Sequence, residues 1–205
     1  MRRSFEAALP FTFFASACAA LTLSLALPDP AVAAGPAKAE KSKGGKVERG
    51  RYLVSTSGCH DCHTPWVVGP DGPGPDMTRA LSGHPQDMVL PPAPKLPEGP
   101  WLVVTAASNT AFSGPWGVSF TANLTPDAKT GTGDWTERNF VDAIRTGKHQ
   151  GRGRDILPPM PWQVYRNFTD DDLKSIYAYL RTIPAIRNQV PEPLAPAATT
   201  GSAQK

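Results

Sequence analysis

An all-α domain interrupted by one long Pro/Gly-rich insertion is the fold class this sequence predicts. Three observations lead there. Capped or apolar-striped helical stretches lie near residues 46–57, 134–147 and 169–183. The chain shows no alternating run of strands and helices of the kind that builds a parallel sheet. Its 23 prolines and 18 glycines imply much irregular backbone, dense between the first and second helices. A length of 205 residues with 40% hydrophobic side chains suffices for one moderate core.

The N-terminus comes first. Arg2 and Arg3 precede an apolar run from Ala7 to Leu27, and Ala31-Val32-Ala33 offers small residues at cleavage spacing, so residues 1–34 read as a secretory signal. The competing reading is an uncleaved membrane anchor, because the run approaches spanning length. Cys18 falls inside this segment and is read as part of the signal, which leaves Cys59 and Cys62 in the exported chain. Residues 35–45, rich in Ala, Gly, Lys and Pro, read as a flexible linker; 46–189 as the folded domain; and 190–205, with repeated Pro, Ala and Thr, as a disordered tail. The formal net charge of +3 is mild, and no basic tract interleaved with aromatics points to nucleic acid.

The first helix, Lys46 to Ser57, is expected to gather Val47, Gly50, Arg51 and Val54 near one face. Gly50 costs about 1 kcal/mol in a helix relative to Ala, so it marks a close crossing, expected near Tyr177 or Leu180. Insertion 66–117 follows. Six prolines between 85 and 100 favour extended polyproline structure, and Leu102 to Thr105 is expected as one short strand. Trp101, Phe112 and Trp116 are expected to anchor this insertion over the domain. Asp134-Trp-Thr-Glu137 resembles a capping box opening the next helix, through Phe140, Val141 and Ile144 to a C′ glycine at Gly147. The last helix has Thr169 as N-cap, acidic residues 170–172 on its positive end, and an apolar stripe of Leu173, Ile176, Tyr177, Leu180 and Ile183 before Pro184.

The chemistry sits between the first helix and the insertion, in Cys59-His-Asp-Cys-His63. C-x-x-C-H is the attachment signature of c-type haem. Two thiols add across the porphyrin vinyl groups to give thioethers, and the following histidine reaches the iron as axial ligand. Structural zinc would want a second ligand pair at matching spacing, and a redox dithiol would want a βαβ framework. A plain Cys59–Cys62 disulfide would leave His63 without a reason. A second axial ligand is sought downstream among Met77, His84, Met88, His149 and Met160. Met160, in Leu157-Pro-Pro-Met-Pro-Trp162, is favoured because three prolines stiffen the loop around its thioether. His84 is the main rival and His149 a weaker one. Four cations in 145–154 (Arg145, Lys148, Arg152 and Arg154) are candidates for steering an acidic partner.

A first helix running into CxxCH, an internal helix and a Met loop before a final helix resemble the class I cytochrome c fold. Thr121-Ala-Asn-Leu-Thr-Pro-Asp127, Thr130-Gly, Gly133-Asp-Trp135 and Pro159-Met-Pro-Trp162 further resemble segments of the cytochrome subunits of periplasmic dehydrogenases. The resemblance covers 46–65 and 118–184. It implies Cys59 and Cys62 as attachment sites for one covalent haem c, His63 as proximal ligand and Met160 as distal ligand. Taken with the expected export signal and the single CxxCH of this chain, it points to a periplasmic, non-enzymatic monohaem carrier. Such a carrier passes single electrons from a dehydrogenase or other donor to a respiratory acceptor, with an oxidase or another cytochrome among its redox partners. Contact with a membrane is expected only if the N-terminal segment is retained. Subunits of that kind carry several CxxCH motifs and this chain has one. The alternative reading is a haem-based sensor or a peroxidase-like haem enzyme with an open distal site.

Overall fold

The computed structural model describes residues 43–196. The signal or anchor expected over residues 1–34 lies outside the described residues, as does most of the expected linker. From its first described residue the chain forms helix α1, Lys43–Thr56, and then a one-turn helix α2, Cys59–His63. Two strands follow, β1 (Trp66–Gly69) and β2 (Gly72–Pro75), paired antiparallel from Trp66↔Pro75 to Gly69↔Gly72. After a largely irregular stretch come β3 (Val104–Thr105), β4 (Ala111–Gly114) and β5 (Gly117–Phe120), a three-stranded antiparallel sheet with β4 in the middle. Helices α3 (Glu137–Thr146), α4 (Trp162–Tyr165) and α5 (Asp170–Leu180) follow among the described residues.

The all-α expectation is therefore corrected. Two antiparallel sheets stand beside the helices among the described residues, and the fold is mixed α/β. Strands of two to four residues are too short to display period-two alternation, and Gly72-Pro-Gly-Pro75 has the composition of a loop. The turn chemistry was the legible signal. Pro70-Asp71 before Gly72 and Pro115-Trp116 between Gly114 and Gly117 are two-residue links of the kind that close hairpins.

The helical core follows the sequence pattern more closely. Leu53 and Val54 of α1 and Phe140, Val141 and Ile144 of α3 meet Leu173, Ile176 and Leu180 of α5 in one buried cluster. Where α1 crosses α5, a Cβ on Gly50 would collide with the Ser175 carbonyl oxygen and sit 2.8 Å from Tyr179 Cβ. The crossing is on the expected helix, but at Ser175 and Tyr179 rather than Tyr177 or Leu180. Arg51 faces solvent and pairs with Glu48; Leu53 takes the buried place instead. Arg49 on α1 and Asp172 on α5 close the crossing with a 2.9 Å ion pair.

Caps define the helix ends. The N-cap of α3 is Thr136, two residues beyond the expected Asp134. Its hydroxyl accepts from Asn139 N–H, while the Asn139 side chain accepts from Thr136 N–H. Gly147 ends that helix at φ 69°. Thr169 caps α5 as expected, accepting from Asp172 N–H at 3.1 Å.

The insertion joins the core rather than merely covering it. Leu81 is fully buried in the helical cluster despite a left-handed φ of 59°; its N–H donates to Thr64 Oγ1 and its carbonyl accepts from Leu124 N–H, both at 2.9 Å. Phe112 is buried as expected of an anchor, whereas Trp101 is 75% exposed. Beyond Val190, where disorder was expected, Leu194 pairs with Val118 of β5 through two 2.9 Å backbone hydrogen bonds. Among the described residues no helix is long and apolar enough to cross a membrane.

Candidate functional site

Gly58, at φ 73°, turns the chain sharply out of α1, and the pentapeptide winds into α2 immediately after it. One helical turn brings Cys59, Cys62 and His63 to the same cavity, as spacings of three and four residues require. The cavity measures about 300 Å³. Its walls are mainly apolar: Val54 from α1, Phe112 and Phe120 from the sheet, Phe140 and Ile144 from α3, and Ile176 and Leu180 from α5. Met160, in the loop before α4, lines it too. All four residues expected to hold the cofactor thus converge on one space.

The remaining candidates sort themselves by hydrogen bonding. His84 is fully buried but does not line the cavity. Its Nδ1 lies 2.9 Å from Thr110 Oγ1, its Nε2 lies 3.1 Å from the Met88 carbonyl, and both nitrogens are thereby occupied. Met77 is exposed, and neither it nor Met88 reaches the cavity. His149 does border it, with its ring edge-on to Trp135 at 5.0 Å.

Protonation states suit the site. His63 is 9% exposed and its Nδ1 lies 2.8 Å from the Ala122 carbonyl. A carbonyl only accepts, so Nδ1 carries the proton and Nε2 keeps a free lone pair. Burial pushes the imidazole pKa down and holds it neutral, the form that can ligate a metal. Burial pushes the Cys59 thiol up to about 11 and raises Cys62 as well. These are protonated thiols, not the acidic thiolates of a redox dithiol, and no bond joins them. Among the described residues no three His, Cys, Asp or Glu side chains group to hold a metal ion. Two neutral thiols, one oriented imidazole and one thioether around an apolar cavity are a donor set that fits a c-type haem.

The Asn123–Asp127 segment explains itself structurally. Asn123 Oδ1 accepts from Thr125 N–H and its hydroxyl, and Asn123 Nδ2 donates to the Ile186 carbonyl at 2.8 Å. Asp127 Oδ1 accepts from Thr130 N–H at 2.7 Å, closing a tight loop. That loop delivers Leu124 and Trp135 to the cavity wall and the Ala122 carbonyl to His63. Sequence reasoning missed Ala122 because a backbone acceptor leaves no trace in residue type. The basic loop is less charged than its sequence suggested. Arg145 pairs with Asp170, Lys148 with Asp155 and Arg154 with Glu192, which leaves Arg152 as the one of the four without an anionic partner among the described residues.

Tyr165, beside the cavity, donates its hydroxyl to the Ser57 carbonyl at 2.6 Å. Burial pushes the phenol up to about 12 from its ordinary 10. The unfolded chain therefore ionises first. The stability that the neutral phenol contributes is complete below about pH 10 and is lost between about pH 10 and 12. Tyr165→Phe is expected to be less stable than wild type at neutral pH and to lose less further stability across that alkaline window, as urea unfolding at stepped pH will measure.

No family model matches the chain. Three relatives are similar to it over most of its own length. The fructose dehydrogenase cytochrome subunit of Gluconobacter japonicus is 29% identical over 161 residues, 76% of this chain and 26% of that protein. The cytochrome c subunit of the quinone alcohol dehydrogenase of Gluconobacter oxydans is 26% identical over 165 residues, 79% of this chain and 27% of that protein. The cytochrome c subunit of the gluconate 2-dehydrogenase of Pantoea cypripedii is 29% identical over 133 residues, 65% of this chain and 22% of that protein. The chain thus spans about a quarter of the length of these curated relatives, and it is related to cytochrome c subunits of dehydrogenases.

Proposed function

We propose that this chain is an exported, periplasmic c-type cytochrome with a single covalent haem, passing one electron at a time between a dehydrogenase and a respiratory acceptor. The carrying observation is the convergence of Cys59, Cys62, His63 and Met160 on one apolar cavity. Relationship to dehydrogenase cytochrome c subunits supports haem c as the cofactor and a dehydrogenase as the redox partner.

In this reading Cys59 and Cys62 would supply the thioether sulfurs, and His63 Nε2 and Met160 Sδ would be the protein donors that hold the iron. When bound, the haem supplies a one-electron iron couple. The protein's residues set the conditions around it. The Ala122 carbonyl draws on the Nδ1 proton, fixes the imidazole tautomer and makes Nε2 a stronger donor, which favours the oxidised metal. The Met160 thioether acts in the other direction, raising the potential relative to a second imidazole. Phe112, Phe140, Ile176 and their neighbours exclude water, so little solvent must reorganise as charge changes. The chain itself makes no substrate bond in this role and is a carrier rather than an enzyme.

Expression alongside a cytochrome maturation system tests the reading. The denatured chain is expected to keep its colour and to gain the mass of one haem, and a double Cys59→Ser, Cys62→Ser variant to lose both. Met160→Ala is expected to abolish the sulfur-to-iron charge-transfer band of the oxidised protein and to admit carbon monoxide to the reduced one. His84→Ala is expected to leave that band in place. A colourless wild type at bare peptide mass rejects the proposal, and rapid carbon monoxide binding by unaltered protein rejects the closed six-coordinate carrier.

A further inference from the structure

We propose that strand β5 positions the Met160 loop, with Ser119 as the positioning residue; the inference rests on the haem c reading above. Ser119 is 7% exposed, and its Oγ donates to the Pro158 carbonyl at 2.6 Å, two residues before Met160. The same Oγ lies 3.4 Å from the Phe112 carbonyl and accepts from Trp116 Nε1 at 3.3 Å. A hydroxyl has one proton, and the much shorter contact to Pro158 takes it.

The loop needs such an outside support. Pro158, Pro159 and Pro161 have no backbone N–H, so the segment carries few donors with which to hold itself. Its flanks are tied by Ile156 N–H to the Gly147 carbonyl at 2.8 Å and by Trp162 N–H to the Met160 carbonyl at 2.9 Å. Among the described residues, Ser119 is the side chain that grips the middle. The strand is itself held firmly: β5 pairs with β4, and Val118 exchanges two backbone hydrogen bonds with Leu194. Gly117 leaves no room for a side chain at that junction, since a Cβ there would strike the Leu194 carbonyl. Immediately after β5, Ala122 accepts from His63 Nδ1. One continuous segment, 117–122, therefore supports both candidate axial ligands, His63 directly and Met160 through Pro158.

The test compares holoprotein carrying Ser119→Ala or the volume-matched Ser119→Cys with Ser119→Thr, which keeps a hydroxyl. Imidazole titration of the oxidised protein reads displacement of Met160, and deuterium uptake reads the backbone of residues 156–162. The Ala and Cys variants are expected to bind imidazole about tenfold more tightly, the equivalent of one buried hydrogen bond. Their uptake is expected to rise over 156–162 and not in α1 or α5, with Ser119→Thr close to wild type. Wild-type imidazole affinity in both the Ala and Cys variants overturns the proposal, and so does uptake that rises equally through α1 and α5. Should the wild type carry no haem, the haem reading fails by itself, and the uptake comparison still decides whether Ser119 holds the loop.

Discussion

Gly50→Val is expected to unfold this protein or to leave it severely destabilised. A side chain at position 50 meets the Ser175 carbonyl oxygen and Tyr179 Cβ, atoms of a helix backbone and its root rather than a flexible side-chain end. The helices must separate, and separation loosens Leu53 and Val54 against Leu173, Ile176 and Leu180. Ordinary overpacking costs about 1–3 kcal/mol. With an unyielding backbone opposite, about 3 kcal/mol or more is expected, against total stabilities of about 5–15 kcal/mol. Gly50→Ala makes the sign informative. On helix propensity alone Ala gains about 1 kcal/mol over Gly; the crossing predicts a net loss instead. Gly74→Ala, where a Cβ meets nothing within 4 Å, is expected to stay within about 0.5 kcal/mol of wild type. Urea unfolding of the three variants measures all of this.

Asn188→Ala is expected to cost about 3–5 kcal/mol, because two buried carbonyls and one half-buried N–H lose their partner together. Asn188 Nδ2 donates to the Ser82 and His84 carbonyls at 2.7 and 2.8 Å, and its Oδ1 accepts from Gln86 N–H at 2.8 Å. The side chain pins the turn 81–86 to the segment that follows α5. That turn packs beneath the site: Gly83 N–H donates to the His63 carbonyl at 2.8 Å, and Leu81 enters the core. Asn188→Asp is no rescue, since it aims a carboxylate oxygen at two carbonyl oxygens. The urea midpoint checks the size of the loss. Hydrogen exchange is expected to show it first around 81–86, and a loss spread evenly over α1 and α5 would contradict this placement.

Local chemistry was the readable part of the sequence. Thr169 capped α5 as expected, Gly147 ended α3, and the apolar period placed Leu173, Ile176 and Leu180 in the core. Each depends on atoms within about four residues, so a single stretch of sequence contains its own partners. Errors arose where two local solutions compete. Asp134 and Thr136 are both good caps, and the chain uses Thr136 because Asn139 completes the reciprocal pair there.

His84 shows where that legibility ends. In sequence it was a credible iron ligand; in the fold Thr110 and the Met88 carbonyl occupy both its nitrogens. The Ser119–Pro158 contact and the grip of Asn188 were equally invisible, for they join positions tens of residues apart, 39 for Ser119 and Pro158 and 106 for Asn188 and Ser82. The pentapeptide 59–63, the proline-stiffened methionine, the Thr169 cap and the Gly147 stop were determined by the sequence alone, since their chemistry is complete within a few neighbouring residues. Which donors face the cavity, and that the insertion carries short strands and sends Leu81 into the core, only the tertiary structure decided. Long-range hydrogen bonds and burial are chosen by the whole chain at once, and no short segment encodes its distant partner.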